Sequence, residues 1–299
     1  MTGASSVART GTVRANGIEI CYETIGDPAD PALLLIMGHG TQLDAWEPGF
    51  CQEFVARGFF VVRFDNRDVG LSTKFDGSIP DLDAARRGDR AGAVYTLDDM
   101  ADDAAGLLAA LGIDRAHVLG ASMGGMIAQT LAVRHPDRVR SLCSIMSTTG
   151  AAGVGGARPE VLAVIRSGAP RTRDEIVAAQ VAMARALRGG GFPFDEARAR
   201  DRAEHAYQRC HYPEGKLRQQ AAILVAADRT PALRTLRLPA VVIHGADDPL
   251  VAVSGGEATA AAIPDARLVV VPGLGHEFPV GVQATVAEEF AATAQRARP

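Results

Sequence analysis

The run Gly120-Ala121-Ser122-Met123-Gly124 sets a serine between glycines two positions before and two positions after it. The apolar residues 116–119 lead into it, and a helical pattern leaves it. A sharp strand-to-helix turn forces its central residue into a strained backbone, and only small residues two places away avoid a clash. Such a turn would lift the Ser122 hydroxyl to the carboxyl end of a sheet, above a helix N-terminus that favours negative charge. Taken as a bare string, the run also fits a Gly-rich turn that packs tightly or binds a phosphate.

A serine hydroxyl is a weak nucleophile at neutral pH. It needs a base within hydrogen-bond reach and an acid to orient that base. Of seven histidines, His276 stands apart. It lies in Pro272-Gly273-Leu274-Gly275-His276, a flexible loop after an apolar strand, and is the expected general base. His117 and His244 fall in strands, His135 at a helix end, and His205 and His211 in a helical stretch. The acid is expected in Gly245-Ala246-Asp247-Asp248-Pro249. Asp248 is preferred to Asp247, because Pro249 restricts it to an extended backbone. The loop after 139–145 holds no carboxylate, which leaves the later pair as the candidates.

Acyl transfer places negative charge on a carbonyl oxygen, and two preorganised N–H groups commonly hold it. The expected donors are the backbone N–H of Met123 and of His39 in Gly38-His39-Gly40-Thr41, with Gly40 as the alternative. A plain glycine turn is the competing reading of that segment.

These residues need a sheet to carry them. Residues 12–14 and 18–22 flank Asn16-Gly17 and read as a hairpin. Residues 33–37, 59–64, 116–119, 139–145, 239–244 and 266–271 read as buried strands. Helices are expected at 45–56, from a Thr96/Asp99 capping box to Leu111, at 126–135 and at 282–296. This alternation predicts an α/β fold with a mostly parallel central sheet flanked by helices. It lapses after Thr149. Helical patterns alone fill 159–166, 173–187, 195–210 and 214–227. The expected organisation is therefore a core in two parts, 1–150 and 238–299, with an inserted helical cap at 151–237. That cap would cover the catalytic edge, with Gly40, Trp46, Phe192, Phe194, His211, Tyr212 and Leu250 as candidate pocket residues.

The 299 residues are 47% hydrophobic and 22% charged, with a formal net charge of −4. This balance suits a globular domain and lends no support to nucleic-acid binding. The basic residues between Arg171 and Arg202 are interspersed with acids such as Asp174 and Glu196, as on solvated helix faces. Cys21, Cys51, Cys143 and Cys210 are scattered, which argues against a zinc site or a disulfide framework. Residues 1–10 lack the apolar stretch of a signal peptide, and no run is long enough to span a membrane. A soluble cytoplasmic protein is expected. Monomer and homodimer both stay open.

Together the motifs resemble the α/β-hydrolase superfamily. The likeness rests on Gly38-His39-Gly40, Asp65-Asn66-Arg67-Asp68-Val69-Gly70-Leu71-Ser72, 120–125, 245–248 and 273–276. Asp68 departs from the commoner D-x-R-G-x-G pattern, where glycine holds its place. With Gly26-Asp27-Pro28 and Ile36-Met37-Gly38, that variant resembles the branch holding aclacinomycin methylesterase and related bacterial carboxylesterases. The resemblance implies a Ser122–Asp248–His276 esterase acting on a small ester, with no metal or organic cofactor. Serine at 122 disfavours haloalkane dehalogenase and epoxide hydrolase chemistry, which uses aspartate there. Thioester, lactone or C–C bond hydrolysis is the alternative chemistry, and a non-catalytic ligand-binding protein the alternative class.

Overall fold

The computed structural model describes residues 8–166 and 170–297. The N-terminal reading of residues 1–10 falls partly outside this range. Eight strands form one sheet: β1 (Arg9–Ala15), β2 (Ile18–Ile25), β3 (Ala32–Ile36), β4 (Phe60–Phe64), β5 (Ala116–Ala121), β6 (Val139–Ile145), β7 (Ala240–Gly245) and β8 (Arg267–Val271). Their spatial order is β1-β2-β4-β3-β5-β6-β7-β8. Pairing is antiparallel from β1 to β4 and parallel from there to β8. Asn16 and Gly17 both take left-handed backbone at the β1–β2 turn, as a tight primed hairpin requires.

Helices cover both faces. They are α1 (Pro48–Val55), α2 (Leu82–Arg86), α3 (Leu97–Ala110), α4 (Met123–Arg134), α5 (Pro159–Arg166), α6 (Arg173–Leu187), α7 (Glu196–Arg209), α8 (Pro213–Leu224), α9 (Thr230–Leu233), α10 (Ser254–Ala262) and α11 (Val280–Ala294). The Thr96–Asp99 capping box opens α3. One core lies where α3 and α4 meet the sheet around Leu34, Val118, Ile127 and Leu131. The other lies on the opposite face, where Trp46, Phe50, Phe54 and Phe290 join α1 and α11 to Leu35, Leu119 and Ile243. Strands β3, β5 and β7 are buried along their whole length, which explains their unbroken apolar runs.

Five helices differ from expectation. Helix α4 starts at Met123, because the turn at Ser122 is complete within one residue. The 45–56 helix begins at Pro48 after a short 3-10 turn over Leu43–Ala45. Helices α2, α9 and α10 were not anticipated at all. Among the described residues five helices, α5 to α9, sit between β6 and β7, four of them on the helical patterns seen in the sequence. All four cysteines are free thiols. Among the described residues no helix is long and apolar enough to cross a membrane.

The strand order reverses between β4-β3 and β5, so the loops after β3 and β5 face each other across a switch point. In open α/β sheets ligands bind at that crevice, outside the carboxyl ends of the strands.

His117 on β5 is 4% exposed and lies against Phe59 and Phe290, with Nδ1 2.8 Å from Ser141 Oγ. Burial, aided by the charges of Arg140 and Arg115, pulls its pKa down to about 4. An unfolded histidine binds its proton near pH 6.5. Between those values the unfolded chain holds a proton that the folded chain does not. The contribution is thus complete above pH 6.5 and lost as pH falls to 4. A loss of about 3 kcal/mol is expected over that window. Urea unfolding at pH 7 and pH 4 should show it, and His117→Asn should shrink it by a similar amount. An unchanged pH dependence in the variant counts against this account.

Candidate active site

Strand β5 ends at Ala121, and Ser122 follows with φ 56° and ψ −121°. The Ser122 N–H donates to the Ile145 carbonyl at 2.9 Å. Its own carbonyl accepts from the Gly125 N–H at 2.9 Å and from Ser147 Oγ at 2.8 Å. The flanking glycines are there for backbone contact. A Cβ on Gly120 would strike the Gly124 carbonyl, and one on Gly124 would strike the Ile36 carbonyl. The N-terminus of α4 thus rests directly on the end of β3. Gly38, on the next loop, lies against the Ser122 side chain.

Main-chain bonds link the strand ends in series. The Met146 N–H donates to Ile243, the Ala246 N–H to Val271 and the Asp247 N–H to Leu274, at 2.9, 3.0 and 3.0 Å. The 245–249 and 272–276 loops are thereby held side by side. Asp248 is 2% exposed. Its Oδ1 accepts from the Leu250 and Val251 N–H groups at 2.9 and 2.8 Å, and its Oδ2 lies 2.7 Å from His276 Nδ1. A second imidazole, His244, is fully buried with Nε2 2.8 Å from the Val251 carbonyl and 3.5 Å from Asp248 Oδ2. Burial lowers the pKa of His244 and favours its neutral form. Asp247 is half-buried and has no side-chain hydrogen bond or ion pair with His276 among the described residues. The fold therefore brings Asp248 and His276 into direct contact. Ser122 occupies the same sheet edge, without a hydrogen bond to His276 among the described residues; such bonds commonly tighten only when substrate is bound.

The loop after β3 carries His39 and Gly40. Gly40 has φ 62°, and its N–H donates to Gln219 Oε1 at 2.7 Å. That N–H is already engaged. The N–H groups of His39 and Met123 have no acceptor among the described residues. The His39 ring places Nε2 2.8 Å from the Lys216 carbonyl, and burial lowers its pKa, so the neutral ring donates there.

The 65–72 segment connects this loop to the helices inserted after β6. Asp65 accepts from the Leu43 and Leu71 N–H groups and from Arg209 of α7. Asn66 Nδ2 donates to the Met37 carbonyl at 2.9 Å. Arg67 pairs with Asp103 of α3 at 2.6 Å, and Arg218 of α8 pairs with Asp68 at 2.8 Å. The His276 loop is held from the same side. The His276 N–H donates to the Leu187 carbonyl at 2.7 Å, and the Gly191 N–H to the Gly273 carbonyl at 2.9 Å. The Gly189 N–H donates to Glu277 Oε1 at 2.9 Å. A Cβ on Gly189 or Gly275 would collide with the opposite backbone. The Gly189-Gly190-Gly191 run was a visible signal for this close approach. Gln219 and His244 had none.

The candidate pocket residues have varied surroundings. Trp46 is 1% exposed, with ring centroids 5.6 Å from Phe50 and 5.3 Å from Phe278. Phe192 packs beside Gly281 of α11. Phe194 belongs to a small core with Val177, Val181 and Ala203 of α6 and α7. The His211 ring lies 5.0 Å from that of Tyr207, tilted by 33°, and the Tyr212 hydroxyl donates to Asp76 at 2.6 Å. Leu250 meets Asp248 through its N–H.

The chain belongs to the alpha/beta hydrolase fold family, whose sequence profile matches residues 31–280. It is similar to the rhodomycin D methylesterase DauP of Streptomyces sp. (strain C5), at 27% identity over 95% of this chain and 97% of that protein. The rhodomycin D methylesterase DnrP of Streptomyces peucetius is also 27% identical, over 92% of this chain and 94% of its own length. In fold it resembles the esterase RhEst1 from Rhodococcus sp. ECU1013, with a TM-score of 0.71 and 23% identity over 96% and 99% of the two chains.

Proposed function

We propose that this protein is a serine carboxylic ester hydrolase that cleaves a small or medium hydrophobic ester through an acyl-enzyme. The observation that carries the reading is a serine held at φ 56° on the sheet edge that also presents the Asp248–His276 pair. A strained backbone persists only where surrounding structure enforces it, and such strain clusters at functional sites. The likeness to two methylesterases over nearly the whole chain supports an ester as substrate, with a methyl ester as the first to try.

In this reading Ser122 Oγ attacks the ester carbonyl carbon while His276 Nε2 takes its proton. Asp248 Oδ2 accepts the Nδ1–H bond, fixing the tautomer and steadying the imidazolium. The N–H groups of Met123 and His39 receive the oxyanion, each contributing about 3 kcal/mol to the transition state. His276 then protonates the departing alkoxide. Water, deprotonated by His276, releases the acid and restores Ser122. The helices between β6 and β7 act as the cap over this edge: α8 bonds the 38–40 loop, while Leu187 at the end of α6 and Gly191 just beyond it bond the 273–276 loop.

The test combines labelling with turnover. A fluorophosphonate should add once, at Ser122, as located by peptide mass, and the protein should hydrolyse p-nitrophenyl and methyl esters. A label on another residue, or no ester turnover by labelled-competent protein, refutes the reading.

A further inference from the structure

Gln219 lies on α8, 179 positions along the chain from Gly40, and is fully buried. Its amide offers an acceptor and donors. The acceptor takes the Gly40 N–H at 2.7 Å, and Nε2 donates to the Arg67 carbonyl at 2.9 Å. Exchanging O and N would set donor against donor and acceptor against acceptor, so the two backbone partners dictate the amide's orientation. We propose that Gln219 is a positioning residue for the oxyanion hole, holding the 38–40 loop so that the His39 N–H faces the reacting carbonyl while the Gly40 N–H is turned away.

The inference rests on the acyl-transfer reading above and deepens it. The loop has three anchors: Asn66 Nδ2 on Met37, the Lys216 carbonyl on the His39 ring, and Gln219 on Gly40. Two of them belong to α8. That helix is tied down by the Asp68–Arg218 pair on the residue before Gln219. The far end of the Gln219 bridge is equally firm, because Arg67 is bidentate to Asp103 at 2.6 and 2.7 Å. Gly40 carries φ 62°, a backbone with freedom to swing once its N–H is released. An oxyanion exists only after attack, so a misaimed donor lowers kcat and leaves substrate binding nearly intact.

Two variants and one inhibitor test this. Gln219→Met keeps the shape and removes both bonds. Its kcat for a p-nitrophenyl ester should fall about 30- to 100-fold, with KM within about threefold. Affinity for a trifluoromethyl ketone, which forms a tetrahedral adduct on the serine, should fall in parallel with kcat/KM. Gln219→Glu supplies the complementary readout. A protonated carboxyl can accept from Gly40 and donate to Arg67, whereas the carboxylate cannot donate. Its kcat relative to wild type should rise at least about fivefold from pH 8 to pH 5.5, while the Gln219→Met ratio stays flat. The other titratable and charged groups around position 219 (His39, Lys216, Arg67, Asp68, Asp103 and Arg218) are common to all three proteins and cancel in the ratio. Wild-type kcat in Gln219→Met, a loss confined to KM, or a pH-flat Gln219→Glu ratio overturns the inference. Should Gln219→Met not fold, the Gln219→Glu ratio decides alone. Ser122→Ala separates the two levels. If it stays active, the parent reading and this one fall together; if it is inactive and Gln219→Met behaves as wild type, only this one falls.

Discussion

Ser122→Ala should lower kcat for a p-nitrophenyl ester by about five orders of magnitude while the protein stays folded. A nucleophile that works as one unit with its base and acid loses nearly all of the unit's effect when it is removed alone. The residual rate should come from the oxyanion donors and from binding. Stability offers an independent check on the elbow. Ser122 holds φ 56° and ψ −121°, a backbone that disfavours any residue with a Cβ. Alanine keeps that cost, so its melting temperature should match wild type closely. Ser122→Gly should be just as inactive, yet more stable by about 1–3 kcal/mol, because glycine enters this backbone freely. Steady-state kinetics and thermal unfolding of the three proteins decide the matter. Activity retained in both variants removes Ser122 as nucleophile. Equal melting temperatures for alanine and glycine would instead say that the turn is not strained.

The elbow was legible because its requirements are local. Gly120 and Gly124 must be small for contacts within a few residues or against the adjoining strand end, and both sit at a fixed offset from Ser122. The same holds for the Asn16-Gly17 hairpin and the Thr96–Asp99 box. Asp248 and His276 were legible as loop residues after apolar strands, and the series of main-chain bonds from Ile145 to Leu274 supplies their juxtaposition.

Helix α10 was not legible, for a physical reason. It begins Ser254-Gly255-Gly256, and paired glycines read as a breaker. Here they serve packing instead. Gly255 lies against the Ser147 carbonyl and Thr148, and Gly256 against the ring of His244, where a Cβ would crowd both. Helix α2 is five residues long in a polar stretch. The Asp81 carboxylate caps it, and Gly92 touches the Asp81 carbonyl and the Ala85 N–H. Gln219 shows the same limit in the site itself. Its partners, Gly40 and Arg67, come from two distant loops, and nothing in the sequence around α8 marks it.

Asp68 links the departure from the common motif to these long-range contacts. Its φ is 66°, a left-handed backbone that glycine would adopt without cost. What an aspartate adds is its carboxylate. Oδ2 and Oδ1 accept from Arg218 Nε and Nη2 at 2.8 and 3.1 Å, and Oδ1 also accepts the Phe75 N–H at 2.8 Å. Arg218 is 3% exposed, and its Nη1 donates to the Ser78 carbonyl at 2.8 Å. Burial opposes its charge, but the bonds and attraction to Asp68 outweigh that and raise its pKa. Removing one partner strands a buried charge, which costs about 3–5 kcal/mol. Asp68→Gly should recover about 1 kcal/mol of that by relieving the backbone. It should therefore be less destabilising than Asp68→Ala. Arg218→Met should lose about 3–5 kcal/mol, because it leaves the Asp68 carboxylate unpaired. The double variant Asp68→Gly/Arg218→Met buries neither charge. It should be more stable than the sum of the single losses predicts, with a coupling of about 2–4 kcal/mol in a urea-unfolding cycle. Losses that add to within about 0.5 kcal/mol would show that the pair does not clamp α8. Because Gln219 is the next residue on that helix, each single variant should also lower kcat more than it raises KM, and the double variant, which lacks the same clamp, should regain stability but not kcat.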